Sequence, residues 1–124
     1  MRVFICFLLG AGLYVLLELF WRGYSHISMA AAGGVSLSLL YGVFTRFPAA
    51  SAALKCLLGA IVITSVEFIT GYFVNVRKGL SVWDYSLVPL NLYGQVCLRY
   101  STLWAALTVP ASILIEIVYT FNRV

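Results

Sequence analysis

Glu67 is the residue of this chain best suited to chemistry, because it lies inside a long apolar run. Polar and small residues recur around it at helical spacing and form one stripe: Thr64, Glu67, Thr70, Gly71 and Asn75. A charged side chain at the centre of a membrane span costs about 3 kcal/mol on insertion scales, so its presence calls for a specific role. The stripe predicts either a proton or cation site in a bundle interior or an internal ion pair, with Arg99 as the partner of Glu67.

Glu18 and Asp84 are two further acidic candidates, and each has a structural alternative. Arg22 follows Glu18 by one helical turn, which is the favourable order for an ion pair. Asp84 lies between Trp83 and Tyr85, aromatic residues typical of a membrane interface. Its carboxylate is expected either to cap a helix that begins two or three residues later or to contact a ligand directly.

The sequence lacks the motifs that most catalytic sites require. Its three cysteines are widely spaced and it has one histidine, so neither a zinc site nor a disulfide framework is predicted. It contains no G-x-x-x-x-G-K-[ST] phosphate loop, no G-x-S-x-G elbow and no H-E-x-x-H zinc motif. We therefore expect no enzymatic activity, no metal and no cofactor.

The composition is that of a membrane protein. Of 124 residues, 63% are hydrophobic and only 10% are charged, and the mean hydropathy is +1.02. A water-soluble domain of this size could not bury so much apolar surface. The formal charge of +4 comes from basic residues scattered at the ends of apolar runs, which favours lipid headgroups and argues against nucleic acid as a partner.

The apolar runs predict an all-α fold, a polytopic transmembrane bundle of about four spans in a single domain over residues 1–124. A span needs about 20 apolar residues. The predicted spans are 3–21, 27–44, 53–74 and 100–121. Residues 87–98 are apolar but interrupted by Pro89 and several polar side chains, and are predicted to form a short interfacial or re-entrant helix.

Two patterns predict how the spans pack. The second span is rich in alanine, glycine and serine, so it should be central, with neighbouring backbones close to it. Gly10-Ala11 followed by Glu18 recurs as Gly59-Ala60 followed by Glu67. This faint repeat predicts two helix hairpins of parallel orientation.

The run V-W-D-Y-S-L-V-P-L-N-L-Y-G-Q-V-C-L-R-Y-S-T-L-W, from Val82 to Trp104, resembles a signature of the bacterial family named "putative ABC-transporter type IV", or CmpB-type. The E-F-I-T-G run that starts at Glu67 is similar to that family's E-x-x-T-G. The resemblance implies a polytopic bacterial membrane protein. It places weight on these residues: Glu67, Trp83, Asp84, Tyr85, Asn91, Gly94, Gln95 and Cys97.

The residues and the resemblance together favour a transport-related membrane protein, either a permease-like subunit or a small transporter, with an intramembrane acidic site. The candidate ligand or ion contacts are Glu18, Glu67, Trp83, Asp84, Tyr85, Asn91, Gln95 and Arg99. One alternative is a structural or regulatory protein that assembles with partner helices through the second span. A weaker alternative is a dual-topology homodimeric exporter.

The expected partners are the lipid bilayer, further copies of the chain or other membrane subunits, and a separate ATPase. The expected location is the bacterial inner membrane. Basic residues on the side of the termini are Arg2, Arg46, Lys55 and Arg123, and those on the other side are Arg22, Arg77, Lys78 and Arg99. If Arg22 and Arg99 are paired inside the bundle, this balance favours cytoplasmic termini.

Overall fold

Four helices dominate the computed structural model, which describes residues 2–121. They are α1 (Arg2–Arg22), α2 (Ile27–Arg46), α3 (Ala52–Gly71) and α4 (Leu98–Phe121). A π-helical turn, Tyr72–Arg77, extends α3. All four helices are long and apolar enough to cross a membrane, which confirms the prediction of an all-α fold with about four helices of span length.

Short polar segments end and restart the helices. At the start of α2, Nδ1 of His26 accepts a hydrogen bond from the Ser28 amide at 3.1 Å. At the start of α3, Oγ of Ser51 accepts one from the Leu54 amide at 3.2 Å. These side chains satisfy amides that lack a partner within the helix, so each new span begins with few exposed donors.

The helices form two hairpins, α1 with α2 and α3 with α4, and α2 joins the two. A glycine allows a close approach in each hairpin. Gly10 in α1 faces the Gly33 carbonyl of α2, and Gly59 in α3 faces the side chain of Thr108 in α4. Half of the most apolar 18-residue stretch of α2 is buried, in agreement with the central position that its small residues predicted. By contrast, α1 and α4 have few contacts with each other. We call the open line between these two helices the α1–α4 seam.

The hydrophobic core fills the end of the bundle where α1 and α3 begin. Its buried members are Cys6, Leu37, Leu40, Tyr41, Phe44, Ile115 and Val118. Because the helices alternate in direction, the ends of α1 and α3 and the starts of α2 and α4 meet at the opposite end of the bundle. The chain between the π turn and α4 therefore lies beside Glu18 and above Glu67.

Residues 87–98 do not form the short helix predicted for them. They contain turns and a small antiparallel hairpin, in which β1 (Asn91–Leu92) pairs with β2 (Val96–Cys97). Three residues have positive φ: Leu90, Tyr93 and Gly94. Such angles are incompatible with a right-handed helix, and Pro89 removes an amide that a helix interior would use. The last helix consequently begins at Leu98.

Candidate functional site

A hydrogen-bond network centred on Gln95 holds the loop 78–97 onto the end of α3. Asn75, in the π turn, donates from Nδ2 to Oε1 of Gln95 at 2.8 Å, and its Oδ1 accepts from the Val82 amide at 2.6 Å. The indole of Trp83 donates to the backbone carbonyl of Gln95 at 2.9 Å. Gln95 and Trp83 are both buried. The network therefore fixes the loop so that the Trp83 ring lies inside the bundle.

Asp84 and Asn91 fold the loop itself. Oδ1 of Asp84 accepts from the Ser86 amide at 2.9 Å, and Oδ1 of Asn91 accepts from the Gly94 amide at 2.9 Å. Hydrogen bonds from Ser86 hold the pKa of the exposed Asp84 carboxyl below its ordinary value. A Cβ on Gly94 would lie 3.0 Å from Oδ1 of Asp84, and its φ of +71° suits glycine. Asp84 thus caps a turn, and the prediction that it caps a helix is wrong.

The role of Asn75 can be tested by hydrogen exchange. In Asn75→Ala the Val82 amide loses its acceptor, so we expect it to exchange faster by roughly threefold to tenfold, as loss of one hydrogen bond implies. The measurement is hydrogen–deuterium exchange of the chain in lipid nanodiscs, followed for peptides from the loop 78–97.

Lys78→Ala is the matched control, because Lys78 is an exposed side chain at the end of the same turn. Equal exchange of the loop in both variants and in the wild type would show that Asn75 does not hold the loop in place.

Glu67 is the buried acidic residue of the site and is only 4% exposed. Its Oε2 accepts a hydrogen bond from the indole Nε1 of Trp104 in α4 at 2.8 Å. Its Oε1 has no hydrogen-bond donor within residues 2–121, although the Tyr85 side chain is close enough to interact with the carboxyl group. Burial of a carboxyl group with one oxygen unpaired is costly, which makes it a candidate for binding a ligand, a proton or water.

Arg99 is not the partner of Glu67. Its side chain is exposed at the start of α4, and the partner that the structure shows is the indole of Trp104. The reason is geometric: Arg99 is five residues before Trp104 and lies on a different face of the helix from Trp104.

The predicted polar stripe on α3 does face α4 and the loop. One turn before Glu67, Oγ1 of Thr64 shares a hydrogen bond with Oγ of Ser101 at 2.8 Å. Two turns after Glu67, Asn75 reaches Gln95. The stripe is therefore the surface along which α3 meets the second half of the chain.

Glu18 and Arg22 form the predicted ion pair at the end of α1, with Nε and Oε2 2.5 Å apart. Arg22 also donates from Nη1 to the Val82 carbonyl at 2.8 Å, and its guanidinium lies 4.5 Å from the Tyr24 ring centroid. The charge of Arg22 is thus engaged by a carboxylate, a carbonyl and a ring. This residue ties α1 to the loop.

A half-enclosed cavity of about 250 Å³ lies between α1, α4 and the loop, and we call it the aromatic cavity. The Glu18–Arg22 pair is part of its wall. Seven aromatic side chains line most of the rest: Tyr14, Phe20, Trp21, Trp83, Tyr85, Tyr100 and Trp104. The Tyr14 and Trp104 ring centroids are 5.6 Å apart, and Tyr85 stacks on Tyr100 at 4.9 Å. Burial raises the pKa of Tyr85 well above its ordinary value, so its hydroxyl stays protonated.

Glu67 lies behind the wall of the aromatic cavity. It borders a second, much smaller space of about 10 Å³, whose lining includes Tyr14, Met29 and Trp83. These three residues also line the aromatic cavity. Since about 10–15 Å³ is the smallest space that holds a water molecule, this space has room for at most one water beside the carboxyl group.

The structure brings together Glu18, Glu67, Trp83 and Tyr85, four of the eight residues predicted to contact a ligand. Asp84, Asn91 and Gln95 serve the loop's own hydrogen bonds, and Arg99 lies outside the site. Among the cavity residues that were not predicted as ligand contacts are Tyr14, Tyr100 and Trp104. Their signal in the sequence is the helical spacing of Tyr14 with Glu18 and of Tyr100 with Trp104.

The fold and site define a four-helix membrane protein with a buried carboxyl group beside an aromatic cavity. The chain belongs to the family described as "Putative ABC-transporter type IV", which it matches over residues 3–122. The family assignment therefore covers all four helices and the loop, and the resemblance noted between Val82 and Trp104 is confirmed. Comparison with curated proteins and with solved structures found no match.

Proposed function

We propose that this protein is the membrane subunit of a transport system, or a small transporter in its own right, and that Glu67 is its intramembrane acidic site. The observation that carries the proposal is the buried Glu67 carboxyl group, with one oxygen unpaired, beside a cavity that is partly open at the α1–α4 seam. Intramembrane carboxyl groups of this kind mark ion and substrate pathways. The family assignment gives independent support for a transport-related protein.

The chain would act as a permease rather than as the motor. It has no phosphate-binding loop, so ATP-driven transport would need a separate ATPase. The loop 78–97 is exposed along much of its length and carries Asp84, Leu87 and Tyr93 outward, which makes it a surface that another subunit could contact.

Flux measurements with the protein in its native membrane test the proposal. Membrane vesicles are prepared from cells that lack the chain and from the same cells carrying the wild type, Glu67→Gln or Glu116→Gln. Uptake is then followed, with and without ATP, for a panel of inorganic and organic cations. We expect a flux that requires the chain and falls at least tenfold in Glu67→Gln, because the amide cannot carry the negative charge or exchange a proton.

Glu116→Gln is the matched control, since Glu116 is exposed near the far end of α4. Wild-type flux in a correctly inserted Glu67→Gln protein would reject the acidic site. Identical uptake with and without the chain, across the whole panel, would reject the transport role.

The alternative function, in which the second span assembles with partner helices, depends on small residues of α2 that are free to contact another chain. Within α2, Gly33 packs against the Gly10 carbonyl and the Tyr14 side chain, and Gly34 packs against the Phe7 ring. The small-residue face of α2 is therefore covered by α1 of the same chain.

Dual insertion stays a prediction, and the structure alters the balance of basic residues between the two sides of the membrane on which it depends. Arg22 is paired within the site but Arg99 is exposed, so only one of the two is removed from the balance. Arg123, on the side of the termini, lies outside the described residues. Cysteine-accessibility mapping of the N-terminus and of the loop 78–97 decides the matter, since one fixed orientation excludes a dual-topology exporter.

A further inference from the structure

The aromatic cavity continues into an apolar groove along the seam between α1 and α4. The groove is a second space of about 230 Å³, and it shares four lining residues with the aromatic cavity: Tyr14, Leu17, Trp104 and Leu107. Its remaining lining is almost entirely apolar and includes Leu13, Leu40 and Leu114. Taken as one, the two spaces fall within the range of about 300–1,000 Å³ that is usual for small-molecule sites.

The seam is open towards the lipid. Leu17 and Leu103, on the two helices that border it, are 49% and 42% exposed, and α1 and α4 have few contacts with each other. On a membrane-spanning bundle, exposed leucines on the helix surface face hydrocarbon. A molecule already dissolved in the bilayer can therefore enter the seam sideways, without crossing water.

The polar end of this seam suits a cation. Ring faces of tyrosine and tryptophan attract ammonium groups, and clusters of such rings recognise quaternary ammonium ligands. Trp104 donates its N–H to the Glu67 carboxyl group, which polarises the indole ring towards a more electron-rich face. The one cationic residue in the lining, Arg22, already has Glu18 and the Val82 carbonyl as partners.

We infer that the α1–α4 seam binds a membrane-resident amphiphile that carries an ammonium head and a single alkyl chain. The head lies among the rings of the aromatic cavity, near Glu18 and Glu67, and the chain lies along the apolar groove. The order of the two spaces sets the orientation, because the aromatic cavity is at the loop end of the helices and the groove extends towards their middle. This inference rests on the proposed transport role and names its substrate class.

The three tryptophans of the chain provide a direct readout, because Trp21, Trp83 and Trp104 all line the aromatic cavity. Purified protein in neutral-lipid nanodiscs is titrated with an alkyltrimethylammonium compound brominated near its head, and quenching of tryptophan fluorescence is followed. The comparison compounds are the uncharged tert-butyl analogue, the corresponding alkyl phosphate, and tetramethylammonium as a competitor without a chain. We expect saturable quenching by the ammonium amphiphile, with affinity at least fivefold higher than for the neutral analogue.

Variants of Tyr100 separate recognition by rings from general folding. Tyr100→Leu removes a ring from the cavity and should weaken binding about fivefold to tenfold, whereas Tyr100→Phe keeps the ring and should bind as the wild type does. Tyr72→Leu is the control, since Tyr72 is an exposed aromatic residue at the start of the π-helical turn and does not line the cavity. Binding of the neutral analogue should be the same in all four proteins, which shows that each variant is folded.

Each of the following results would overturn the inference. Equal affinity for the ammonium compound and its neutral analogue would show that the seam is only an apolar groove. Tighter binding of the alkyl phosphate would assign recognition to Arg22. Absence of saturable quenching, with size measurements that show a dimer, would mean that a second copy of the chain covers the seam.

Effective competition by tetramethylammonium at the same concentration as the amphiphile would show that the alkyl chain contributes nothing to binding.

Failure of this inference is distinguishable from failure of the proposed function. Ammonium-selective quenching without chain-dependent flux would reject transport alone, and Glu67-dependent flux of another cation without selective quenching would reject the amphiphile alone.

Discussion

Replacement of Trp104 by phenylalanine is expected to destabilise the folded bundle by about 1–3 kcal/mol, which is the range for leaving a buried polar group without its hydrogen-bond partner. The variant keeps an aromatic ring at the site but removes the N–H that pairs with Oε2 of Glu67. Both carboxylate oxygens of a residue that is 4% exposed would then lack a hydrogen bond from α4. The measurement is the free energy of unfolding in mixed detergent micelles.

The companion variants assign this cost to the unpaired carboxyl group. Glu67→Gln still offers a carbonyl oxygen to the indole, so it should cost no more than about 1.5 kcal/mol, the net value of one hydrogen bond. The double variant Trp104→Phe with Glu67→Leu removes both polar groups and should recover stability relative to Trp104→Phe alone. If the effects of the single changes Trp104→Phe and Glu67→Leu simply add in the double variant, the Glu67–Trp104 pair does not stabilise the bundle.

Substitution of leucine for Gly59 should have a comparable effect, with a loss of about 1–3 kcal/mol typical of an overpacked interior. A Cβ at this position would collide with Oγ1 and both side-chain carbons of Thr108, which is fully buried. Thr108 cannot rotate away without losing its hydrogen bond to the Trp104 carbonyl at 2.8 Å. The two helices of the second hairpin must therefore separate, and Trp104 moves away from Glu67 as they do.

Gly12→Leu is the control for this experiment. Gly12 also lies in a membrane-spanning helix, but nothing would come within 4 Å of its Cβ. Leucine is a better helix former than glycine by up to about 1 kcal/mol, so this variant should be neutral or slightly stabilised. Equal stability of the Gly59 and Gly12 variants would contradict the close approach of α3 and α4.

The two predictions concern one structural unit. Thr108 lies one turn after Trp104 on α4, and Gly59 lies two turns before Glu67 on α3. Close contact at Gly59 sets the distance between the helices, and the indole–carboxyl hydrogen bond forms where that distance allows it. The same indole lines both the aromatic cavity and the apolar groove, so loss of this packing should also alter the tryptophan fluorescence of the seam.

The sequence by itself determined the membrane character of the chain, the class of fold and the presence of four helices long and apolar enough to span a membrane. Apolar runs of span length form helices in lipid, because backbone N–H and C=O groups find no hydrogen-bond partners in hydrocarbon and must bond to each other. It also determined that Glu67 faces the bundle interior and that Glu18 pairs with Arg22. Both follow from helical periodicity, which is local.

Only the tertiary structure decided which residues from different helices meet. Arg99 is an obvious partner for Glu67 by charge, but the rotation of α4 places the Trp104 indole at the carboxyl group instead. Asp84 and Asn91 form the turns of the loop 78–97 through local hydrogen bonds. Its position against α3 and α1 depends instead on partners far apart in the chain, since Asn75 bonds to Gln95 and Arg22 bonds to the Val82 carbonyl. The aromatic cavity arises in the same way. Its rings come from α1, the loop and α4. Residue spacing within any one of these segments cannot predict that rings from different segments line the same cavity.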